Sequence, residues 1–159
     1  MMRRKLVPQP PAVDAAEPVA KSADIDLFAR TLWGEAAGES VRGIEALAAV
    51  VINRAAVLAG SSVDDACRGF SCWRHDNPDR SRMLSLKSGA GSAGELLFTT
   101  CLRIARRAVA GLLEDPTGGA TMFHERSTLP DWTSGREPTA EIGNRLFYSG
   151  PVTGSVVSS

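Results

Sequence analysis

The sequence predicts an α+β domain that is mainly helical, with a small β element near its C-terminus. Three segments repeat apolar residues at the helical period of about 3.6, and two short apolar runs after residue 119 resemble strands. A chain of 159 residues has room for one domain with a sizeable core, but not for two. Helices therefore dominate the predicted fold.

The three predicted helices each have a recognisable beginning. The first spans about residues 24–37, the second follows Ser40 as its N-cap, and the third begins at Ser92, which has capping-box spacing to Glu95. The second helix carries a broad apolar stripe. Its members are Val41, Ile44, Leu47, Ala48, Val51, Ile52 and Ala55.

The region after the third helix changes character. The sequence DPTGG at 115–119 predicts a turn, and ATMFHE at 120–125 and NRLFYS at 144–149 are the two strand-like runs. Residues 62–91 are rich in Asp, Arg, Ser and Gly and show no periodicity. A segment of this length is too long for a simple connection, and such loops are often functional.

The two ends of the chain differ from this central part. Residues 1–23 contain four prolines and few large apolar residues, and residues 150–159 have a similar composition. Neither segment can bury enough surface to offset the entropy of ordering, so we predict a disordered N-terminal arm and a flexible tail. The folded domain is predicted at 24–149.

Charge and hydropathy exclude several partners. Lys plus Arg equals Asp plus Glu at 18 each, so no net charge attracts nucleic acid or an anionic membrane surface. No apolar run approaches the roughly 20 residues that cross a bilayer, so we expect no membrane insertion. Pro8, Pro10, Pro11 and Asp14 interrupt the N-terminus, which therefore lacks a recognisable signal peptide.

The cysteines and histidines do not form a known metal motif. The spacing of Cys67, Cys72, His75 and His124 matches no compact zinc site, and we expect neither a metal nor another cofactor. Cys67 and Cys72 are either joined by a disulfide or both reduced, and the composition leaves both states open.

The stretch TLWGEAAGES at 31–40 places a carboxylate where a leucine would fit. Ile25, Phe28 and Leu32 form the apolar stripe of the first helix, and Glu35 falls within about 20° of Phe28 around its axis. Gly38 is expected to end the helix before Glu39. Glu35 should therefore point inward near a turn.

Two interpretations of Glu35 are open at this stage. In the structural one, its carboxylate pairs with Arg30 or Arg54. In the functional one, it donates a proton, because packing a carboxyl against indole and aliphatic groups disfavours the charged form. Cleavage of a glycosidic bond requires such a general acid.

Aromatic residues in irregular polar sequence also allow two interpretations. Trp73, Phe123, Trp132 and Tyr148 either fill gaps in a minor core or line a saccharide groove. Sugar rings present flat C–H faces that pack on exposed aromatic rings.

Five separated motifs occur along the predicted domain. They are LWGEAAGESVRGIEALAAVVINR at 32–54, FSCW at 70–73, DPTGGATMFH at 115–124, PDW at 130–132 and IGNRLFY at 142–148. Their order and spacing resemble the SleB/CwlJ-type cell wall hydrolases, a bacterial family named for spore-cortex-lytic enzymes. The resemblance covers essentially the whole predicted domain.

The resemblance implies a lysozyme-like catalytic domain that acts on peptidoglycan. Members cleave the bond between N-acetylmuramic acid and N-acetylglucosamine, commonly as lytic transglycosylases that leave a 1,6-anhydro end. Glu35 stands where the family has its catalytic glutamate. Substrate binding is expected at Glu39, Ser71, Trp73, Phe123, His124, Trp132 and Tyr148.

A transglycosylase would also explain why no second carboxylate is evident from the sequence. The C6 hydroxyl of the substrate attacks, so one acid that later acts as a base suffices. Asn53 and Arg54 are expected to brace the second helix. The chain departs from the family at Arg145, where histidine is usual, and before Phe70, where a glutamine is missing.

Peptidoglycan glycan strands are thus the expected partner. Without a recognisable signal peptide, we expect synthesis in the cytoplasm and assisted release to the cell wall or periplasm, for example through association with a phage or phage-like particle. The alternative from another functional class is a non-catalytic peptidoglycan-binding or phage-particle structural domain with the same fold.

Overall fold

The computed structural model describes residues 23–36, 38–58, 60–88 and 91–150. Within these ranges, helices precede a small sheet. The elements are α1 (Ile25–Glu35), α2 (Val41–Val57), α3 (Val63–Arg68), α4 (Arg80–Ser85), α5 (Ala93–Val109), β1 (Met122–Glu125), β2 (Ala140–Ile142) and β3 (Arg145–Tyr148). The predicted arm and tail lie outside the described residues, apart from residues 23 and 150.

The predicted fold class is confirmed, and the three predicted helices begin where expected, with Asp24, Ser40 and Ser92 as N-caps. The N–H of Gly43 donates to Ser40 Oγ at 3.2 Å, and that of Glu95 donates to Ser92 Oγ at 3.2 Å. These serines satisfy N–H groups that a helix start leaves without partners. Helix α1 ends at Glu35, ahead of Gly38, whose φ of 78° is incompatible with a continuing helix.

The segment without periodicity has more structure than its sequence indicates. It contains α3, a 3₁₀ turn at Ser71–Trp73 and α4. Helix α3 begins with a capping box, in which Ser62 and Asp65 each accept the other's backbone N–H. Both helices have six residues, fewer than two turns, so no apolar stripe can repeat within them.

Helix α1 lies at the centre of the core. It packs mainly against α5 and also contacts α2, α3, α4 and the 3₁₀ turn. Phe28 and Leu32 are completely buried, as their spacing predicted. Arg30 extends from α1 to the end of α4, where it donates to the carbonyls of Met83 at 2.7 Å and Leu86 at 3.0 Å.

The three strands form an antiparallel sheet in the order β1-β3-β2. Phe123 pairs with Phe147 and Glu125 pairs with Arg145. Side chains alternate between the two faces of a strand, so Phe123, Phe147 and Arg145 share the face that packs on the core. His124 and Tyr148 belong to the opposite face.

The turn before β1 is tied to α2. Asn53 Nδ2 donates to Asp115 Oδ2 at 3.0 Å and to the Ala120 carbonyl at 2.9 Å, while Arg54 Nε donates to the Thr121 carbonyl at 2.6 Å. Both side chains therefore brace α2, as expected. None of the helices in the described part of the chain is long and apolar enough to cross a membrane.

All three cysteines are buried free thiols, so the disulfide alternative is not realised. Burial raises the pKa of Cys67 to about 12 and that of Cys101 to about 12. Burial also raises the pKa of Cys72 well above its ordinary range. Because the thiolate is the reactive form, these cysteines should be inert in the folded protein.

We expect alkylation of the native protein near pH 8 to be at least about a hundredfold slower than that of an exposed cysteine, because the thiolate is rare and shielded. Denaturation without reductant should release three reactive thiols. Thiol counting before and after denaturation measures both values. A count of one after denaturation would mean that a disulfide had formed.

Candidate active site

Glu35, the last residue of α1, lies at an open pocket of about 280 Å³. The pocket is formed where the end of α1 meets the 3₁₀ turn and the residues that follow it. It is lined by Gly34, Glu35, Ser71, Cys72, Asp76 and Asn77. Glu35 is half-buried here, as its inward position on the helix predicted.

One oxygen of the Glu35 carboxylate is held by the 3₁₀ turn. Ser71 Oγ donates to Oε1 at 3.1 Å, and the backbone N–H of Cys72 donates to Oε1 at 3.0 Å. Oε2 makes no hydrogen bond with any residue in the described ranges. The carboxylate is thus oriented through one oxygen, and the other is available to a ligand in the pocket.

The structural interpretation of Glu35 as an ion-pair partner of Arg30 or Arg54 is not supported. Arg30 Nε pairs instead with Asp26 Oδ2 at 2.7 Å, and Arg54 Nε donates to the Thr121 carbonyl. Burial lowers the pKa of Arg54 to about 10, and the negative charge of Glu35 opposes that shift. Glu35 and Arg54 therefore interact by long-range electrostatics and make no hydrogen bond or ion pair with each other.

The absence of a side chain at Gly34 allows the turn to approach α1. A Cβ at this position would lie 2.8 Å from Cys72 Cβ and 2.8 Å from Met83 Sδ. Trp73 further secures the turn, because its indole N–H donates to Thr31 Oγ1 at 2.9 Å. The position of Ser71 and Cys72 beside Glu35 thus depends on close packing at Gly34, the preceding residue.

Asp76 and Asn77 belong to the pocket, although sequence reasoning missed both. Asn77 Nδ2 donates to the Cys72 carbonyl at 2.8 Å, which holds it beside the turn. Asp76 accepts two hydrogen bonds from Arg74 at 3.1 Å, and these bonds and the charge of Arg74 lower the pKa of Asp76. Their position in the sequence, shortly after the FSCW motif at 70–73, could have indicated that they belong to the site.

Four of the seven predicted substrate-binding residues are at most 10% exposed, namely Glu39, Phe123, His124 and Tyr148. The Glu39 side chain is 10% exposed, and its Oε1 lies 3.6 Å from Arg145 Nη1. Phe123 is 2% exposed, with its ring centroid 6.1 Å from that of Phe70 and 5.9 Å from that of Phe147. In this structure the ring of Phe123 belongs to the core and offers no open face to a sugar.

His124 and Tyr148, which are 1% and 4% exposed, cluster with the half-buried Trp132 on the opposite face of the sheet. His124 Nδ1 contacts the Glu125 carbonyl at 2.7 Å, and its Nε2 lies 3.0 Å from the Tyr148 hydroxyl. Because a carbonyl only accepts, Nδ1 carries the proton and Nε2 accepts from Tyr148. Trp132 packs edge-on against both rings, at centroid distances of 5.7 and 5.1 Å.

The structure therefore brings together Glu35 and Ser71 in the pocket, with Trp73 on the same turn. It separates them from the His124, Trp132 and Tyr148 cluster, whose role in substrate binding stays a prediction. Within the described ranges, no three His, Cys, Asp or Glu side chains converge as a metal site.

Comparison with known proteins gives a consistent set of relatives. The model of a family described as "Cell Wall Hydrolase" matches residues 38–148, a range that begins after Glu35. A spore cortex-lytic enzyme from Halalkalibacterium halodurans is 31% identical over 127 residues, which make up 78% of this chain and 34% of the relative. The chain thus spans about a third of the length of that curated relative.

Two solved structures share the fold. They are the catalytic domain of the Bacillus cereus SleB protein and the catalytic domain of the germination-specific lytic transglycosylase SleB from Bacillus anthracis. Each is 23% identical, with a TM-score of 0.56 over 79% of this chain, and the matches cover 88% and 93% of those domains. The predicted lysozyme-like fold is thereby confirmed.

The close approach at Gly34 can be tested with Gly34→Ala. We expect this change to lower the free energy of unfolding by about 1–3 kcal/mol, because the new methyl group collides with Cys72 and outweighs the better helix propensity of alanine. Gly91→Ala is the control, since a Cβ there meets nothing within 4 Å. Urea unfolding measures both, and equal stability of the two variants would contradict the packing argument.

Proposed function

Because the chain belongs to the cell wall hydrolase family, we propose that it cleaves the glycan strands of peptidoglycan with Glu35 as the general acid. The observation that carries this proposal is the hydrogen bonding of the Glu35 carboxylate at the pocket. One oxygen is fixed by Ser71 and Cys72, and the other is left to a ligand. A proton on Oε2 would then face the scissile bond.

The bond that we propose is the one between N-acetylmuramic acid and N-acetylglucosamine. Glu35 transfers its proton to the glycosidic oxygen, so that the leaving sugar departs as an alcohol and positive charge develops at the anomeric carbon. The C6 hydroxyl of the same muramic acid then attacks that carbon and returns its proton to Glu35. The products are a 1,6-anhydro end and a regenerated acid, as in a lytic transglycosylase.

The two donors on Oε1 serve both halves of this reaction. They direct the proton to Oε2 in the resting acid, because Oε1 already accepts from Ser71 and from the Cys72 N–H. After proton transfer they stabilise the carboxylate, whose charge spreads over both oxygens. The same contacts therefore position the acid and then support the base.

Hydrolysis is a second candidate reaction, and Asp76 is the observation that favours it. This carboxylate lies in the Glu35 pocket, and Arg74 keeps it in its ionised form. An inverting or retaining hydrolase needs a second carboxylate of this kind, as a base for water or as a nucleophile. Assisted release to the wall and association with a phage-like particle remain predictions from the sequence.

Replacement of the acid tests the core of the proposal. Glu35→Gln should lower the rate of cell wall cleavage by at least about a hundredfold, because the amide cannot donate a proton to the leaving oxygen. The amide oxygen can still accept from Ser71 and Cys72, so thermal stability should change little. Zymography on purified walls and circular dichroism measure the two effects, with Glu114→Gln on the exposed surface as a control.

Clearing that survives Glu35→Gln would exclude the proposed mechanism. Loss of clearing in every form of the protein, together with retained binding to walls, would favour the non-catalytic peptidoglycan-binding alternative.

Mass spectrometry of the products distinguishes the two reactions. We expect anhydro ends, lighter by one water than hydrolysed ends, and an effect of Asp76→Asn on the rate of less than about tenfold. Ordinary reducing ends, together with a cleavage rate about a hundredfold lower in Asp76→Asn, would assign hydrolysis to the Glu35–Asp76 pair.

A further inference from the structure

Arg145 connects the sheet to the end of α1. It is the first residue of β3, its side chain faces the core, and its Nη2 donates a short hydrogen bond to the backbone carbonyl of Glu35. The last carbonyls of a helix have no partner within the helix, and a positive charge at this end is favourable. Arg145 therefore holds the residue that carries the proposed acid through its main chain.

The charge of Arg145 is balanced by Glu39. The carboxylate and the guanidinium approach to 3.6 Å, and the two side chains are only 10% and 8% exposed. A Cβ at Gly43 or at Gly143 would lie 2.6 Å from Glu39 Oε2. The carboxylate thus occupies space that a side chain at either glycine would fill.

Several neighbouring elements place titratable or charged groups around Glu35. The buried guanidinium of Arg54 reaches it from α2, and that of Arg145 from β3. Asp76 lies across the pocket, paired with exposed Arg74. The buried thiol of Cys72 is neutral, and His124 lies on the far face of the sheet.

The guanidiniums of Arg54 and Arg145 both place positive charge around Glu35. Glu39 opposes this effect, because it offsets the charge of Arg145 at short range in a poorly solvated site. Of these two guanidiniums, only that of Arg54 has no carboxylate in contact among the described residues.

We propose that the buried Arg145–Glu39 pair is a positioning unit for the general acid, an inference that rests on the proposed function of Glu35. Arg145 fixes the end of α1, and Glu39 offsets the charge of Arg145 beside the general acid. Neither side chain touches the substrate. Arg145, at a position where the resembled family usually has histidine, thus acts through Glu35.

Single replacements at the two ends of the pair should shift the pH profile in opposite directions. In Glu39→Gln the uncompensated guanidinium favours ionised Glu35, so the high-pH limb of kcat should move to lower pH by about half a unit or more. In Arg145→Met the remaining Glu39 charge disfavours ionisation, so the limb should move to higher pH. The double variant should return it close to the wild-type position, because the two effects cancel.

Arg145→Lys separates charge from geometry. It keeps the positive charge, so the limb should stay near its wild-type position, whereas kcat should fall because lysine cannot contact the Glu35 carbonyl and Glu39 with the same fork. KM should change little in all of these variants. The exposed Arg126–Glu141 pair supplies matched controls, and Glu141→Gln and Arg126→Met should leave the profile unchanged.

Following the Glu35 carboxyl by NMR as a function of pH, in the folded wild type and in each variant, gives the same comparison without an activity assay. If Arg145→Met does not fold, the test rests on Arg145→Lys and on Glu39→Gln, which is nearly isosteric with the wild-type side chain. Shifts in the same direction, or a loss of kcat with no shift in either measurement, would overturn the inference. Activity retained in Glu35→Gln would instead refute the proposed function and leave these titrations interpretable.

Discussion

Helix α1 is surrounded by the other helices, and its burial determines both the core and the position of the pocket. Phe28 and Leu32 place the apolar stripe of the helix inside the core, and Glu35 continues the same stripe at the point where the helix ends. An apolar environment on one side and an open pocket on the other meet at this residue. A carboxyl placed there is partly desolvated and still reachable, which is what a general acid requires.

The end of α1 is stabilised by polar groups from distant parts of the chain. The 3₁₀ turn supplies two donors to the Glu35 side chain, and β3 supplies Arg145 to its carbonyl. Burying charged groups costs free energy unless they are paired or hydrogen-bonded. The pairing of Arg145 with Glu39 reduces that cost, and the contact of Arg145 with the Glu35 carbonyl also keeps Glu35 in place.

The sheet divides the predicted groove residues into two sets. Alternation along β1 places Phe123 in the core and His124 on the opposite face, where it joins Trp132 and Tyr148. Aromatic character alone cannot tell these sets apart, because both kinds of position are compatible with large rings. The half-buried Trp132 keeps a partly exposed surface, whereas Phe123 does not.

The amino-acid sequence by itself determined the helical class, the serine caps and the inward direction of Glu35, since these follow from local periodicity and from the chemistry of helix ends. Only the tertiary structure decided the groups around that carboxylate. Ser71 and Arg145 lie 36 and 110 residues from Glu35 along the chain, and Asp76 belongs to a segment without periodicity. Contacts of this kind depend on how the elements pack, and a one-dimensional pattern carries no direct record of distances between remote residues.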